Sequence, residues 1–114
     1  HGGKLVLRYN LALQQPPAGT GPLFARAGYF HPACAPNGAI VSDDFPADHR
    51  HQRGIFLAWT KTRLLLKGLP LQPDFWNLGS GTGRILAREA AWAAGRNGSL
   101  VLRATHEWEA RSGE

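Results

Sequence analysis

This sequence of 114 residues has one cysteine, no long apolar run and no dense run of basic residues. Because Cys34 stands alone, an internal disulfide and a structural zinc site built from several cysteines are both excluded. The longest apolar run, residues 54–59, has the length of a strand, whereas a membrane helix needs about 18 apolar residues. The first residues also lack the pattern of a secretory signal peptide. We therefore expect a soluble protein with no membrane span, in the cytoplasm or the periplasm.

Positive charge exceeds negative charge, with 13 Lys and Arg residues against eight Asp and Glu residues. The arginines are scattered between Arg8 and Arg111, and the four tryptophans lie inside apolar segments. A nucleic-acid-binding surface usually combines a basic stripe with exposed aromatic side chains. We therefore expect no nucleic-acid partner. The hydrophobic content of 43% and the charged content of 18% are typical of a chain that folds.

Short β-rich runs alternate with turn-forming residues along the whole chain. The runs predicted to be strands are 4–9, 26–31, 39–42, 51–59, 84–94 and 99–108. Among them, 26–31 should end at Pro32, and 51–59, the most apolar run, should be a central strand. Alanine content leaves a helix over 84–94 as an alternative.

Two turns predict antiparallel hairpins. Asn-Gly pairs supply the positive φ angles of tight turns, and such pairs occur at Asn37-Gly38 and within 95–98. By contrast, Gly68 and Pro70 interrupt residues 61–71, which we expect to be an irregular connection. The pattern predicts an all-β fold, an antiparallel β-sandwich forming a single partial domain over residues 1–114.

Ionisable residues are concentrated in the segment 42–54, which reads SDDFPADHRHQRG. Residues two apart in a strand face the same side, so His49 and His51 can point into one pocket. With Asp44, Asp48 or His31 as a third ligand, the two imidazoles could hold zinc or another divalent ion. The same groups could also act as general acid and base, because imidazole titrates near neutral pH.

Each of these residues also has a structural explanation. The first two aspartates of the segment can cap turns, Asp48 can pair with Arg50 or Arg53, and the histidines can bond to backbone carbonyls. His106, isolated on the last predicted strand, is typical of a core or surface histidine. The convergence of so many ionisable groups beside an apolar strand nevertheless favours a functional site.

A second candidate region is the segment FWNLGSGTGR, residues 75–84. Its glycines lack the GK[ST] ending and the following helix of a phosphate-binding loop. Aromatic faces can stack on the C–H surfaces of sugars, so Trp76 and Asn77 are candidate ligand contacts. A buried core position for Trp76 is an equal alternative.

Three segments in this order resemble a bacterial family labelled methane oxygenase PmoA: HPACAPNGAIVSDDFPADHRHQRGIFLAWTKT, PDFWNLGSGTGR and HEW. The resemblance covers nearly the whole chain and implies that the chain is the N-terminal half of a longer protein. Family members usually have a histidine where this sequence has Gln52. The label implies a copper oxygenase with a membrane partner. The family is also similar, at the level of the fold, to the β-supersandwich aldose epimerases, which implies a sugar site.

Our leading hypothesis is a carbohydrate-active enzyme, a hydrolase, lyase or epimerase, whose partner is a small-molecule sugar. Its predicted catalytic residues are His31, His49, His51 and Asp44. Its predicted substrate-binding residues are Asp43, Arg53, Trp76 and Asn77. One alternative is a copper- or zinc-dependent, oxygenase-like protein that holds its metal on His49 and His51. Another is a sugar-binding module without catalysis.

Overall fold

The computed structural model describes residues 2–111, and short antiparallel strands form its framework. In this part of the chain the strands are β1 (Leu7–Asn10), β2 (Tyr29–Ala33), β3 (Leu64–Leu66), β4 (Leu69–Leu71), β5 (Gly83–Ala94) and β6 (Leu100–Ala110). They pair as three two-stranded antiparallel sheets, β1 with β2, β3 with β4, and β5 with β6. The prediction of an all-β, antiparallel fold is confirmed.

Helical structure in residues 2–111 is limited to 3-10 turns of three residues each, at Pro22–Phe24, Leu78–Ser80 and Arg96–Gly98. None of them has the length and apolar character needed to cross a bilayer.

Both predicted hairpin turns are present. β5 and β6 are paired from Gly83↔Ala110 to Ala94↔Leu100, so 84–94 is a strand and the helical alternative is excluded. Near Asn37, the Gly38 N–H donates to the Ala35 carbonyl at 2.8 Å, and the chain reverses as predicted. In the return segment 39–42, Ile40 bridges Cys34 just after β2 and the Val41 N–H donates to the Ala33 carbonyl at 2.9 Å, but the segment forms no regular strand.

The sequence predicted that this strand ends at Pro32, but β2 continues to Ala33. The pairs Leu7↔Ala33 and Tyr9↔Phe30 enclose one more residue on β2 than on β1, which makes a bulge there. A bulge tolerates a proline because one residue of it is left out of the hydrogen-bonded ladder. The strand therefore passes through Pro32 to Ala33.

The predicted central strand 51–59 is wrong. The segment makes only isolated bridges, one of them between Ile55 and Phe30. Gly54 has φ of 50°, and a Cβ atom at this position would lie 2.0 Å from the Phe30 carbonyl oxygen. The chain therefore bends at Gly54 and passes too close to β2 for any other residue.

The predicted irregular connection 61–71 is also wrong, because β3 and β4 form a hairpin there. Lys67 and Gly68 both have positive φ, 50° and 79°, as a two-residue hairpin turn of the I′ type requires. Pro70 is tolerated because β4 pairs on one side only. The residues that suggested an interruption supply the turn and an edge strand.

The core lies where the 55–60 segment, the loop after Pro73 and the β5–β6 hairpin meet. Ala58, Phe75 and Ile85 are buried at its centre, and Phe56, Trp76 and Trp108 pack around them. This arrangement places Trp76 at the edge of the core, with part of its ring surface exposed.

Candidate functional site

The structure separates the predicted catalytic residues into distinct groups. His31 Nδ1 is 2.8 Å from Ser42 Oγ, and Asp44 pairs with Arg53. His49 and His51 contact each other. Within residues 2–111, no side-chain hydrogen bond, ion pair or ring contact joins the first two groups to the histidine pair.

Arg53 is the centre of a buried polar cluster, which we call the Arg53 lock. The side chain is fully buried. Its Nε donates to Asp44 Oδ1 at 2.5 Å, its Nη1 donates to the Phe24 carbonyl at 3.2 Å, and its Nη2 donates to the Tyr29 hydroxyl. The ring of Phe45 lies 3.4 Å from the guanidinium carbon. Because each guanidinium nitrogen has a protein acceptor and no solvent access, this geometry favours a structural role over the predicted contact with a substrate oxygen.

Tyr29 completes the lock. Its hydroxyl donates to Asp44 Oδ2 at 3.1 Å. Burial raises the pKa of Tyr29 to about 12, although the neighbouring Arg53 acts to lower it. Tyr29 therefore keeps its proton at neutral pH and can hold Asp44 together with Arg53.

The lock closes the base of a loop formed by residues 43–54. Asp44 and Arg53 form an antiparallel bridge, and the Gly54 N–H donates to the Asp43 carbonyl at 2.7 Å. The Asp43 carboxylate accepts the N–H of Asp44 at 2.7 Å. Asp43, predicted to bind substrate, thus caps the backbone at the start of the loop.

His49 and His51 lie at the other end of this loop. Their ring centroids are 5.9 Å apart with an interplanar angle of 71°. Asp48 Oδ2 is 3.0 Å from His49 Nδ1, and this contact lowers the pKa of Asp48. The His51 ring packs against Trp76, with centroids 6.2 Å apart. We call the surface formed by His49, His51, Trp76 and Asn77 the His–Trp surface.

Protonation of His51 is disfavoured at this position. Burial is the largest cause of its lowered pKa, and the positive charges of His49 and Arg26 act in the same direction. The carboxylate of Asp74 acts in the opposite direction. A neutral imidazole at His51 can accept a proton from a bound molecule.

Asp74, which the sequence analysis missed, fixes the loop that carries Trp76. Its Oδ1 accepts the backbone N–H groups of Trp76 and Asn77 at 2.9 and 2.8 Å. Its Oδ2 accepts the Thr60 hydroxyl and the Asn77 amide at 2.9 and 2.8 Å. Burial acts to raise the pKa of Asp74, but these hydrogen bonds outweigh it and lower the pKa. The sequence signal is an Asp followed at i+2 and i+3 by backbone donors, as in an Asx turn.

The donor sets predicted for a metal ion are not assembled. Across residues 2–111, no group of three or more His, Cys, Asp or Glu side chains is arranged to hold a metal ion. Of the three predicted third ligands, His31 is bonded to Ser42 and Asp44 to Arg53, whereas Asp48 contacts His49 Nδ1 at 3.0 Å. Although Asp48 lies beside the two imidazoles, residues 2–111 do not arrange these three side chains around a common metal position.

Arg26 is a second buried guanidinium that the sequence analysis did not single out. It is 2% exposed, and its Nη2 donates to the Leu57 carbonyl at 3.3 Å. Its guanidinium carbon Cζ lies 4.3 Å from the Phe56 ring centroid. Its Nε and Nη1 have no hydrogen-bond partner. Burial lowers the pKa of Arg26 to about 10, with Arg53 contributing. No sequence signal distinguishes this arginine from the exposed ones.

Comparison with known proteins gives a family and no function. The pattern of DUF6807, a family of unknown function, matches residues 1–114. No curated protein and no solved structure matches the chain. Because the family match spans the full sequence, the chain belongs to the DUF6807 family.

Proposed function

We propose that this chain is a carbohydrate-active protein that holds its sugar on the His–Trp surface. The observation that carries the proposal is the placement of Trp76. Its ring is partly exposed, its loop is fixed by Asp74, and an imidazole lies beside it. A fixed, partly exposed aromatic ring provides an apolar platform for the C–H surface of a sugar ring.

Polar groups around this platform suit the hydroxyls of a sugar. The Asn77 side-chain nitrogen donates to Asp74, which leaves the amide oxygen as an acceptor for a hydroxyl. His51 is the candidate general base, because its pKa is lowered, and the exposed His49 is the candidate acid. In this proposal the Arg53 lock and Asp43 shape the loop and do not contact the sugar.

A sugar-binding module without catalysis is the second candidate. It is favoured by the openness of the surface, since both His49 and Asn77 are exposed. The copper- or zinc-dependent oxygenase implied by the resemblance to the PmoA-like family needs a metal ligand set, which residues 2–111 do not assemble. We therefore derive no reaction step through a metal.

The test is to titrate the full chain with a panel of neutral monosaccharides and disaccharides and to monitor binding by changes in NMR chemical shifts. We expect shifts at Trp76, and Trp76→Ala should weaken binding roughly tenfold through loss of the stacking surface. Trp92→Ala is the matched control, because Trp92 is 54% exposed on β5 and lies outside the His–Trp surface. Equal effects of the two substitutions, or no sugar binding at all, would overturn the proposal.

Catalysis is separated from binding by the double variant His49→Gln, His51→Gln. An enzyme should lose turnover of the bound sugar while retaining most of its affinity. A module should bind the sugar, show no turnover in the unmodified chain and keep its affinity in the double variant.

A further inference from the structure

A groove of about 320 Å³ is lined in part by Phe56, whose ring also contacts Trp76. Its walls come from β1, β2, β6 and the 55–57 segment. The residues that line it are Tyr9, Gly28, Phe30, Ile55, Phe56, Leu57, Leu102, Ala104 and His106. Most of these side chains are apolar, and Ile55 and Leu57 are 55% and 65% exposed at its rim. The volume is at the lower end of the range typical of small-molecule sites, which begins at about 300 Å³.

Two polar side chains of the groove are bonded to each other. The Tyr9 hydroxyl oxygen is 2.6 Å from His106 Nε2. Gly28 allows His106 to take this position, because a Cβ atom on Gly28 would lie 2.7 Å from Nε2. Gly28 also has φ of 73°, which disfavours other residues. The backbone beside the pair thus has no room for a side chain.

Hydrogen-bonding capacity remains after Tyr9 and His106 have bonded to each other. A phenol has one donor and an acceptor oxygen, and a neutral imidazole has one donor and one acceptor. Whichever tautomer is present, one N–H or O–H donor and one acceptor are left over. An apolar groove with a single such pair selects for a neutral molecule with one polar group.

Both members of the pair are held in their neutral forms. Burial raises the pKa of Tyr9. Burial also lowers the pKa of His106, and the positive charge of Arg26 contributes. A charged ligand would therefore find no opposite charge on Tyr9 or His106 to compensate its own desolvation.

We propose that this groove binds a neutral, largely apolar small molecule through one carbonyl or hydroxyl group directed at the Tyr9–His106 pair. The site is distinct from the His–Trp surface, although Phe56, which lines the groove, packs against Trp76. The proposal does not depend on the sugar-binding proposal.

The experiment compares acetophenone with ethylbenzene, which has a similar shape and lacks the carbonyl oxygen. Each is titrated at equal concentrations into the full chain, and backbone amide shifts of Gly28, Leu102 and Ala104 are followed by NMR. Acetophenone should bind roughly three- to tenfold more tightly, which corresponds to one net hydrogen bond. Absence of shifts at these amides with both probes, or equal affinity for both, would overturn the proposal.

Two variants distinguish the pair from the groove. The double variant Tyr9→Phe, His106→Phe keeps both rings and removes every hydrogen-bonding group of the pair, so the ratio of the two affinities should fall towards one. Ala104→Phe fills the groove from an exposed strand position and should abolish binding of both probes. Ala93→Phe, at an exposed β5 position outside the groove, is its control and should bind as the unmodified chain does. Binding by Ala104→Phe that equals binding by Ala93→Phe would refute the site, whether or not the double variant folds.

Discussion

Asp44→Asn is the sharpest test of the Arg53 lock, because it removes one charge and preserves the shape of the side chain. Arg53 is fully buried and its Nε donates to Asp44 Oδ1 at 2.5 Å, so loss of the carboxylate leaves a buried cation without a counter-charge. Breaking a buried pair in this way costs about 3–5 kcal/mol. Asp44 is 20% exposed, and the asparagine oxygen still accepts one hydrogen bond. We therefore expect the free energy of unfolding to fall by about 3 kcal/mol, at the lower end of this range.

Urea denaturation followed by tryptophan fluorescence measures this loss, provided that the m-value is unchanged. Glu107→Gln is the control, because the Arg88–Glu107 pair is 52% and 51% exposed. That pair should contribute at most about 0.5 kcal/mol, since exposed ion pairs are screened by water. A loss below about 1 kcal/mol for Asp44→Asn, or equal losses for the two variants, would show that Arg53 does not depend on its carboxylate.

Two further predictions concern the backbone and the pH dependence of stability. Gly54→Ala and Gly98→Ala both place a side chain at positive φ, but only at Gly54 would the Cβ atom meet backbone, 2.0 Å from the Phe30 oxygen. We expect about 1 kcal/mol of destabilisation for Gly98→Ala and loss of the native fold for Gly54→Ala, both measured by thermal unfolding. Similar losses of stability in the two variants would contradict the close approach of Gly54 to the Phe30 carbonyl. The lowered pKa values of His51 and His106 mean that the unfolded chain binds protons more readily, so stability is full above about pH 6.5 and falls as the pH drops below it. Urea midpoints between neutral and mildly acidic pH check this, His51→Gln should reduce the slope, and a rise in stability on acidification would refute it.

The parts of the fold that the sequence predicts are those determined locally. The turns at Asn37-Gly38 and at 95–98 place Gly38, Asn97 and Gly98 at positive φ, which Asn and Gly adopt readily, so the dipeptide indicates the turn. The β3–β4 hairpin uses the same backbone geometry with Lys67 in the first position. Lysine rarely adopts positive φ, and no local pattern reveals it here. Gly68 suits the second position of this turn, but Lys67 gives no local signal for the first position, which depends on the strand pairing around it.

The bend at Gly54 was missed for a different reason. The hydrophobic run around Gly54 has the composition of a strand. Composition alone cannot predict how closely this segment approaches the backbone of another strand. Gly54 is needed because the chain passes against β2, which is a contact between residues far apart in sequence. The Asx pattern of Asp74 is local, but a single aspartate in a loop is a weaker sequence signal than the cluster of ionisable residues in the 43–53 segment.

Ionisable residues are dense in the 43–54 loop because some of them anchor the loop in the protein and others form the candidate site. Backbone bonds from the His49 N–H to the Pro46 carbonyl and from the Gln52 N–H to the His49 carbonyl fold this segment into turns. It therefore lacks the two-residue strand period on which a shared pocket was predicted. A loop that carries exposed imidazoles at one end still needs its other end anchored in the protein, and the anchor here is polar because buried backbone and Arg53 need acceptors. A high density of charged residues therefore indicates both the anchor and the candidate site. The two are distinguished by exposure, because Arg53 in the anchor is buried and His49 in the candidate site is exposed.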